Sequence, residues 1–511
     1  MNNSAATNAR ATSREWIGLA VLTLPCLLLS MDLTVLYLAV PSLIADLNPS
    51  SAQLLWIVDI YGFLIAGSLV TMGTLGDRIG RRRLLLIGAA AFGVASTLAA
   101  FSTSAAMLIA TRALLGVAGA TLMPSTLALI RNMFHDPAER STAIAVWITS
   151  FMVGSAIGPL LGGFMLEHFW WGSVFLLGVP FMGLLLIIGP FLLPENRDPD
   201  AGRLDLLSAA LSLIATLAVI YGIKRLATNG FSGAAALAIA AGLAIGFVFV
   251  RRQRKLRDPI IDLDLFRVAA FRTSVGTQLV ALIAMAGVYF FAVQYLQLVF
   301  GLAPLRAGLW LIPSTIAGTA GSMFAPALAR RFRPAFVMSA GLVMGAIGFA
   351  MLTLVGENSG LAILVLAFAI VSVGINATMT LTTDLIVGVA PPERAGAASA
   401  ISETSSELGL ALGIAVIGSI GTAVYRLDMA EAIPPEVPSA AADAARDTLG
   451  SALAVAARLP GNLGIDLADA ARNAFTHALH TTAITGALML TALAIVVTMT
   501  LKQIPARPPS V

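Results

Sequence analysis

Five charged side chains stand inside segments that are otherwise apolar. They are Asp32 in "PCLLLSMDLTVLYLAVP", Asp59 in "LLWIVDIYGFLIAG", Arg112 in "LIATRALLGVAGATLMPSTLALI", and Glu403 and Glu407 in "AISETSSELG". A charge at such a place is costly unless it is paired or hydrated, so each is a candidate for handling protons or ions. Glu403 and Glu407 lie four residues apart, on one face of a helix. Two carboxylates so close, away from water, cannot both be charged cheaply, which suits reversible protonation. Asp384 in "LTTDLIVG" falls near the end of its segment and reads as an interfacial charge. Other chemistries lack their parts. The lysines, Lys224, Lys255 and Lys502, follow no glycine, so there is no GxxxxGK[ST] phosphate loop. The four histidines, His135, His168, His477 and His480, form no set of metal ligands, and no GxSxG nucleophile motif occurs. Neither an enzyme nor a metal protein is expected.

These residues need elements that hold them in a membrane. Of 511 residues 58% are hydrophobic and 11% charged, far fewer charges than the roughly 25% of a soluble domain. A hydrocarbon core needs roughly 20 apolar residues per helix, and the chain breaks at about that spacing. Fourteen spans are expected, at 16–45, 54–75, 84–101, 105–130, 141–166, 172–193, 206–225, 231–250, 272–299, 305–328, 335–355, 361–385, 396–423 and 480–501. No cleavable leader is expected, because the first apolar run is too long for one. With both termini inside, most of the 31 basic residues fall in cytoplasmic segments such as "GDRIGRRR" at 76–83, "RRQRKLRDP" at 251–259 and "RRFRP" at 330–334. The net charge of +4 then reflects topology, and no nucleic-acid partner is expected. The loops after spans 2 and 10 correspond if spans 1–6 and 9–14 are two halves. The expected organisation is therefore a tail (1–15), a six-helix bundle (16–193), an inserted pair (206–250), a second bundle (272–501) and a tail (502–511). Loop 424–479, broken at Pro460 and Gly461, suggests a helical hairpin on the outside. Two bundles with a site between them is the plan of a secondary transporter. Helical rise puts Asp32 about 24 Å along span 1, and Arg112 and Asp59 about 8 Å below the outer ends of theirs, so the three share a level. A direct or water-bridged Asp32/Arg112 contact is geometrically allowed, whether functional or a static pair.

Three motifs go further. "GTLGDRIGRRR" places Gly73, Asp77, Arg78, Gly80 and Arg81 between spans 2 and 3, in a connection of about eight residues. "GSAIGPLLGG" puts Gly154, Gly158 and Gly162 on one helix face, beside a bend at Pro159. "TRALLGVAGA" carries Arg112. In this order the three resemble the loop, span-4 and span-5 motifs of the Major Facilitator Superfamily. With "MDLTVLYLAVPSL", "LLWIVDIYGFLIAG" and fourteen spans, the chain is similar to the fourteen-helix drug:proton antiporters, in the branch that exports quaternary ammonium compounds and cationic dyes. The resemblance implies an all-α integral membrane fold, alternating access, no cofactor beyond the proton gradient, and a multi-pass protein of the cell membrane. It implies competition between a proton and a lipophilic cation at Asp32, Asp59, Glu403 and Glu407, with Arg112 nearby. Tyr37, Tyr61 and Trp147 are the expected aromatic walls of the cation pocket, whereas Trp56 reads as an interface anchor. The expected partners are cationic drugs, protons and lipid, with the protein itself a monomer. A proton-coupled carrier of some other small solute would share the fold.

Overall fold

Local capping signals set the helix starts. Glu15 accepts the Thr12 N–H while Thr12 accepts the Arg14 N–H, which opens α1 (Ser13–Leu47), and Ser50 with Gln53 opens α2 (Ser51–Ile79) in the same reciprocal way. Ser104 caps α4 (Ala105–Met133), and Ser232 caps α9 (Gly233–Gln253). The other helices are α3 (Arg81–Ala100), α5 (Pro137–His168), α6 (Ser173–Leu176), α7 (Gly178–Leu192), α8 (Leu206–Asn229), α10 (Ala269–Leu298), α11 (Pro304–Arg331), α12 (Pro334–Leu352), α13 (Leu361–Val389), α14 (Ala395–Ala432), α15 (Ser439–Asp447), α16 (Leu449–Ala456) and α17 (Asn462–Leu501). The structure, a computed structural model, describes residues 10–195, 205–229, 232–256, 259, 261, 263–356, 360–390 and 395–503. Most of both tails, and parts of the basic run 251–259, lie outside the described residues.

No strand occurs among the described residues. Among the described residues thirteen helical stretches are long and apolar enough to cross a membrane. The fourteenth expected span is α11, which is long enough but not among them. Its middle, "PSTIAGTAGS", alternates small and hydroxyl residues, and the reason becomes plain at the cavity below. α1 through α7 form one bundle, α10 through α14 with α17 the second, and α8 and α9 pack on each other as an added pair. The bundles meet along two seams, α2 against α14 and α5 against α11. Because successive spans alternate in direction, α17 ends on the side where α1 begins. That side is called proximal below, and the opposite side distal.

Two boundaries differ from expectation. The connection at Gly73 to Arg81 is a single residue: α2 runs through Gly73, Asp77 and Arg78 to Ile79, Gly80 alone breaks it at φ 107°, and α3 starts at Arg81. Only glycine adopts that backbone without strain. On the distal side α14 continues to Ala432 and α17 begins at Asn462, so the 424–479 segment is mostly helix. α15 and α16 form a cap over the distal end, and α16 packs against α17 and α1.

Backbone approaches concentrate where glycine permits them. Along α5, Gly154 meets Leu27 and Ser30 of α1, Gly158 meets Met31 and Thr34, and Gly162 meets Val35, three successive turns of close packing. Gly409 and Gly413 of α14 lie in the same way on Leu279, Leu282 and Ile283 of α10. The fifth helix of each bundle thus grips the first by the same device.

Candidate functional site

The embedded charges resolve into two ion pairs and the two acids of α14, Glu403 and Glu407. Arg112 of α4 is 1% exposed and donates from Nη1 to Asp32 Oδ2 of α1 at 2.7 Å. Its Nε donates to the Ile57 carbonyl at 3.2 Å, and the guanidinium lies 4.5 Å from the Tyr61 ring centroid and 5.9 Å from that of Phe175. Such a set satisfies a buried arginine on several sides at once. Asp32 borders a space of about 10 Å³ lined by Met31, Phe92, Ser96, Phe175 and Gly178, room for about one water molecule. That space is inside the first bundle, away from the seam between the bundles.

Asp59 does not join this pair, although it shares the level. Its oxygens face Lys224 Nζ of α8 at 2.9 Å and 2.7 Å, and the same ammonium stands 3.8 Å from the Trp56 ring centroid. Asp59, expected among the proton- and cation-binding residues, is 1% exposed and paired with a lysine from the added pair. Trp56, expected as an interface anchor, closes its ring over that ammonium. Lys224 was missed as a functional residue because nothing near it in sequence announces a partner 165 positions away.

On α14, Glu407 is 5% exposed and its Oε2 has no hydrogen-bond partner. It lies within electrostatic reach of Tyr37, Tyr61 and Glu403. Glu403, one turn proximal, is partly exposed and faces the Cys26 region of α1. Beside them Gln278 of α10 bridges Ser402 and Ser406, which fixes the rotation of α14. Asp384 sits in the proximal part of α13.

Between the bundles lies a cavity of about 350 Å³. α1 contributes Ser30, Thr34 and Tyr37, and α5 contributes Phe151 and Ser155. The second bundle adds Tyr289, Phe368, Asn376 and the Ser314, Thr315, Gly318 and Thr319 face of α11. This explains the low apolarity of α11, whose small and hydroxyl side chains line the cavity. Tyr37 and Tyr289 meet edge to face at 5.4 Å, and Tyr289 meets Phe368 at 5.8 Å. An aromatic corner thus stands over uncharged hydroxyl and amide groups. Of the expected aromatic walls only Tyr37 lines this cavity. Tyr61 supports Arg112 instead, and Trp147 turns between α4 and α5 to donate to Thr126 Oγ1 at 3.2 Å. Phe151, one turn along α5, holds the place expected of Trp147. Phe151 and Phe368 were not legible beforehand, because nothing near them in sequence sets them apart from the chain's other phenylalanines.

The distal side of the cavity is shut. Pro159 of α5 packs on Gly308 of α11, Gly163 abuts Leu305, and Gln297 of α10 donates to the Leu38 carbonyl at 3.1 Å. Farther out, Ser51 of α2 donates to the Asp447 carbonyl at 2.8 Å, and Arg426 of α14 pairs with the Asp447 carboxylate. At the proximal end Asp77 pairs with Arg81 across the Gly80 turn, and Glu195 accepts the Arg82 N–H at 3.1 Å. His477 pairs with Asp428 and His480 contacts the Val355 carbonyl, so the two point to different partners.

Comparisons with known proteins agree with this fold. The chain is 45% identical over 493 residues to the multidrug efflux pump LfrA of Mycolicibacterium smegmatis, covering 96% of this chain and 97% of that one. It is 34% identical over 469 residues to the methyl viologen resistance protein SmvA of Salmonella typhimurium, covering 90% and 93%. Among solved structures, a bacterial homolog of the human lysosomal transporter Spinster, in an inward-facing and unoccupied conformation, aligns with a TM-score of 0.66. That alignment covers 97% of this chain and 99% of the other at 15% identity, which speaks for the fold. The profile of the Major Facilitator Superfamily matches residues 23–414. With two bundles, a cavity on their seam and glycine-packed first and fifth helices, this multi-pass membrane protein belongs to the Major Facilitator Superfamily.

Proposed function

We propose that the protein is a proton-coupled efflux antiporter for lipophilic cations, including quaternary ammonium compounds and dyes, that works by alternating access. The observation that carries this reading is the cavity on the seam, with Tyr37, Tyr289 and Phe368 above uncharged polar groups and Glu407 within electrostatic reach of Tyr37. Ring faces attract a desolvated organic cation by about 0.5–2 kcal/mol each and take planar shapes of many kinds. Hydroxyl and amide groups adapt to varied partners, and the buried carboxylate supplies the opposite charge without imposing a single geometry. The names of the relatives, a multidrug efflux pump and a methyl viologen resistance protein, support the same class of substrate.

In this reading the termini lie in the cytoplasm of a cell-membrane protein, and the closed distal side faces out. A cation enters from the proximal side and settles against the aromatic corner while Glu407 is ionised. Asp32 does not touch the cavity. Its place beside a water-sized space supports a proton relay rather than a drug ligand, with Arg112 as its counter-charge. Protonation of Asp32 weakens the tie to Arg112, which links α1 to α2 and α4, and so lets α1 and α5 shift together. Differential affinity of the two end states for proton and cation then drives exchange. No metal, nucleotide or partner chain is required, and a single copy holds the whole site.

The test is transport in proteoliposomes with a panel of cationic and neutral compounds, with and without an imposed pH gradient. Cations are expected to move against their gradient only when protons move the other way, and neutral analogues are not. Asp32→Asn is expected to abolish the response to the pH gradient. Uptake of neutral solutes alone, or gradient-driven export intact in Asp32→Asn, contradicts the reading.

A further inference from the structure

One buried ion pair takes no part in the cycle just described. Lys224 belongs to the added pair α8 and α9, yet its ammonium enters the first bundle to meet both oxygens of Asp59 under the ring of Trp56. Around this point α8 is otherwise apolar, with Leu217 and Ile220 lying against Phe63 of α2 and Leu408, Ala411, Leu412 and Ala415 of α14. If α8 served only to fill the groove between α2 and α14, a leucine would serve better, because burying a lysine and an aspartate rarely offsets their lost hydration.

The position of Asp59 on α2 supplies another task. Two residues before it, the Ile57 carbonyl accepts Arg112 Nε, and two residues after it the Tyr61 ring supports the same guanidinium. Arg112 and Asp59 lie within electrostatic reach of each other. Arg112 therefore has two carboxylates to choose between, and its Nη1 goes to Asp32. The charged and titratable groups facing this node are Asp32 and Tyr37 from α1, Tyr61 on α2 itself, Arg112 from α4, Lys224 from α8 and Glu407 from α14.

We propose that Lys224 is a positioning residue: by occupying Asp59 it reserves Arg112 for Asp32, so that the added helix pair is a charge clamp on the proton relay. The role rests on the antiport reading for its consequence in transport, but not for its geometry. Without Lys224, the lone Asp59 draws Arg112 across the 57–61 segment, and Asp32 loses its counter-charge.

A hydrophobic carbodiimide, which modifies protonated carboxyls inside membranes, separates the alternatives when the modified sites of lipid-reconstituted protein are mapped by mass spectrometry. Modification of Asp32 is expected to rise about tenfold in Lys224→Met and to return to the parent level in the double variant Asp59→Asn/Lys224→Met. Ethidium transport driven by a pH gradient is expected to fall by about tenfold in the single variant and to recover to within about threefold of the parent in the double. A merely structural tie predicts that both variants are impaired and that Asp32 modification is the same in all. New modification at Asp59 instead of Asp32 in Lys224→Met overturns the proposal, as does no change at Asp32. If Lys224→Met fails to fold, the double variant decides: transport with an unmodified Asp32 supports the clamp, and a double variant that fails to fold or to transport refutes it. If the parent protein carries no ethidium, the antiport reading fails while the modification pattern still decides the role of Lys224.

Discussion

Among single side chains, Glu407 and Asp384 make the sharpest contrast. Glu407 is buried with one oxygen lacking a hydrogen bond, and a buried polar atom left that way needs an explanation. In the proposed antiport cycle a proton or the transported cation would supply that partner. Asp384 sits in the proximal part of α13, outside the set of side chains that line the cavity. Glu407→Gln is therefore expected to lower ethidium export about tenfold, and Asp384→Asn by less than about twofold, as initial rates in vesicles. The reverse order would exclude Glu407 from the cation path. At the aromatic corner, Tyr289→Ala removes the ring that meets both Tyr37 and Phe368. Affinity for aromatic cations should weaken about fivefold to thirtyfold, with little change for neutral compounds, as read from competition for export. The spacing of residues was enough to put Asp32 and Arg112 at one level and to allow the contact seen, because depth along a helix follows directly from residue number. Depth alone carries no rotation, however. It placed Asp59 at the right level and could not say that its carboxylate turns toward α8.

At the level of helices, the α1/α5 contact is the tightest run of small residues on the first bundle. A Cβ added to Gly158 would lie 2.2 Å from Thr34 Oγ1 and 3.2 Å from the Met31 Cα. Backbone cannot yield as a side-chain tip can, so Gly158→Val must separate the helices. Destabilisation of about 1–3 kcal/mol is expected, seen as a lower melting temperature of the purified protein together with lost transport. Gly183→Ala, whose Cβ meets nothing within 4 Å, is the matched control and should be silent. The helices themselves were largely legible, since twenty apolar residues between breaks announce a span whatever the tertiary structure. What hid were the ends and the exceptions. The Gly80 break is one residue because positive φ turns the chain abruptly, and composition alone suggested a longer loop. α11 reads as weakly apolar because one face lines a cavity with Ser314, Thr315, Gly318 and Thr319 while the other exposes Ile316, Met323 and Phe324, and hydropathy averages the two.

For the whole molecule, the closed distal side predicts a lock. Gly163 and Leu305 approach so nearly that a Cβ on the glycine would stand 2.5 Å from the leucine Cα. Backbone cannot yield there, so Gly163→Val must hold α5 off α11 and is expected to keep the distal side from closing. Export should fall about tenfold, as initial rates in vesicles. Unchanged export in Gly163→Val would place the moving gate elsewhere. The seam itself was only partly visible in sequence: the matching loops suggested two halves, but the α2/α14 and α5/α11 contacts join residues hundreds of positions apart. α17 carries one more consequence. Its 40 residues make a rod about 60 Å long, roughly twice the thickness of the hydrocarbon core. A stiff pointer of that length magnifies small rotations at its base, and a tilt of 10° would sweep its tip by about 10 Å. A spin label at the exposed Ile465, near that tip, would therefore read out bundle motion as a displacement large enough to measure, while sitting far from every group that does the work.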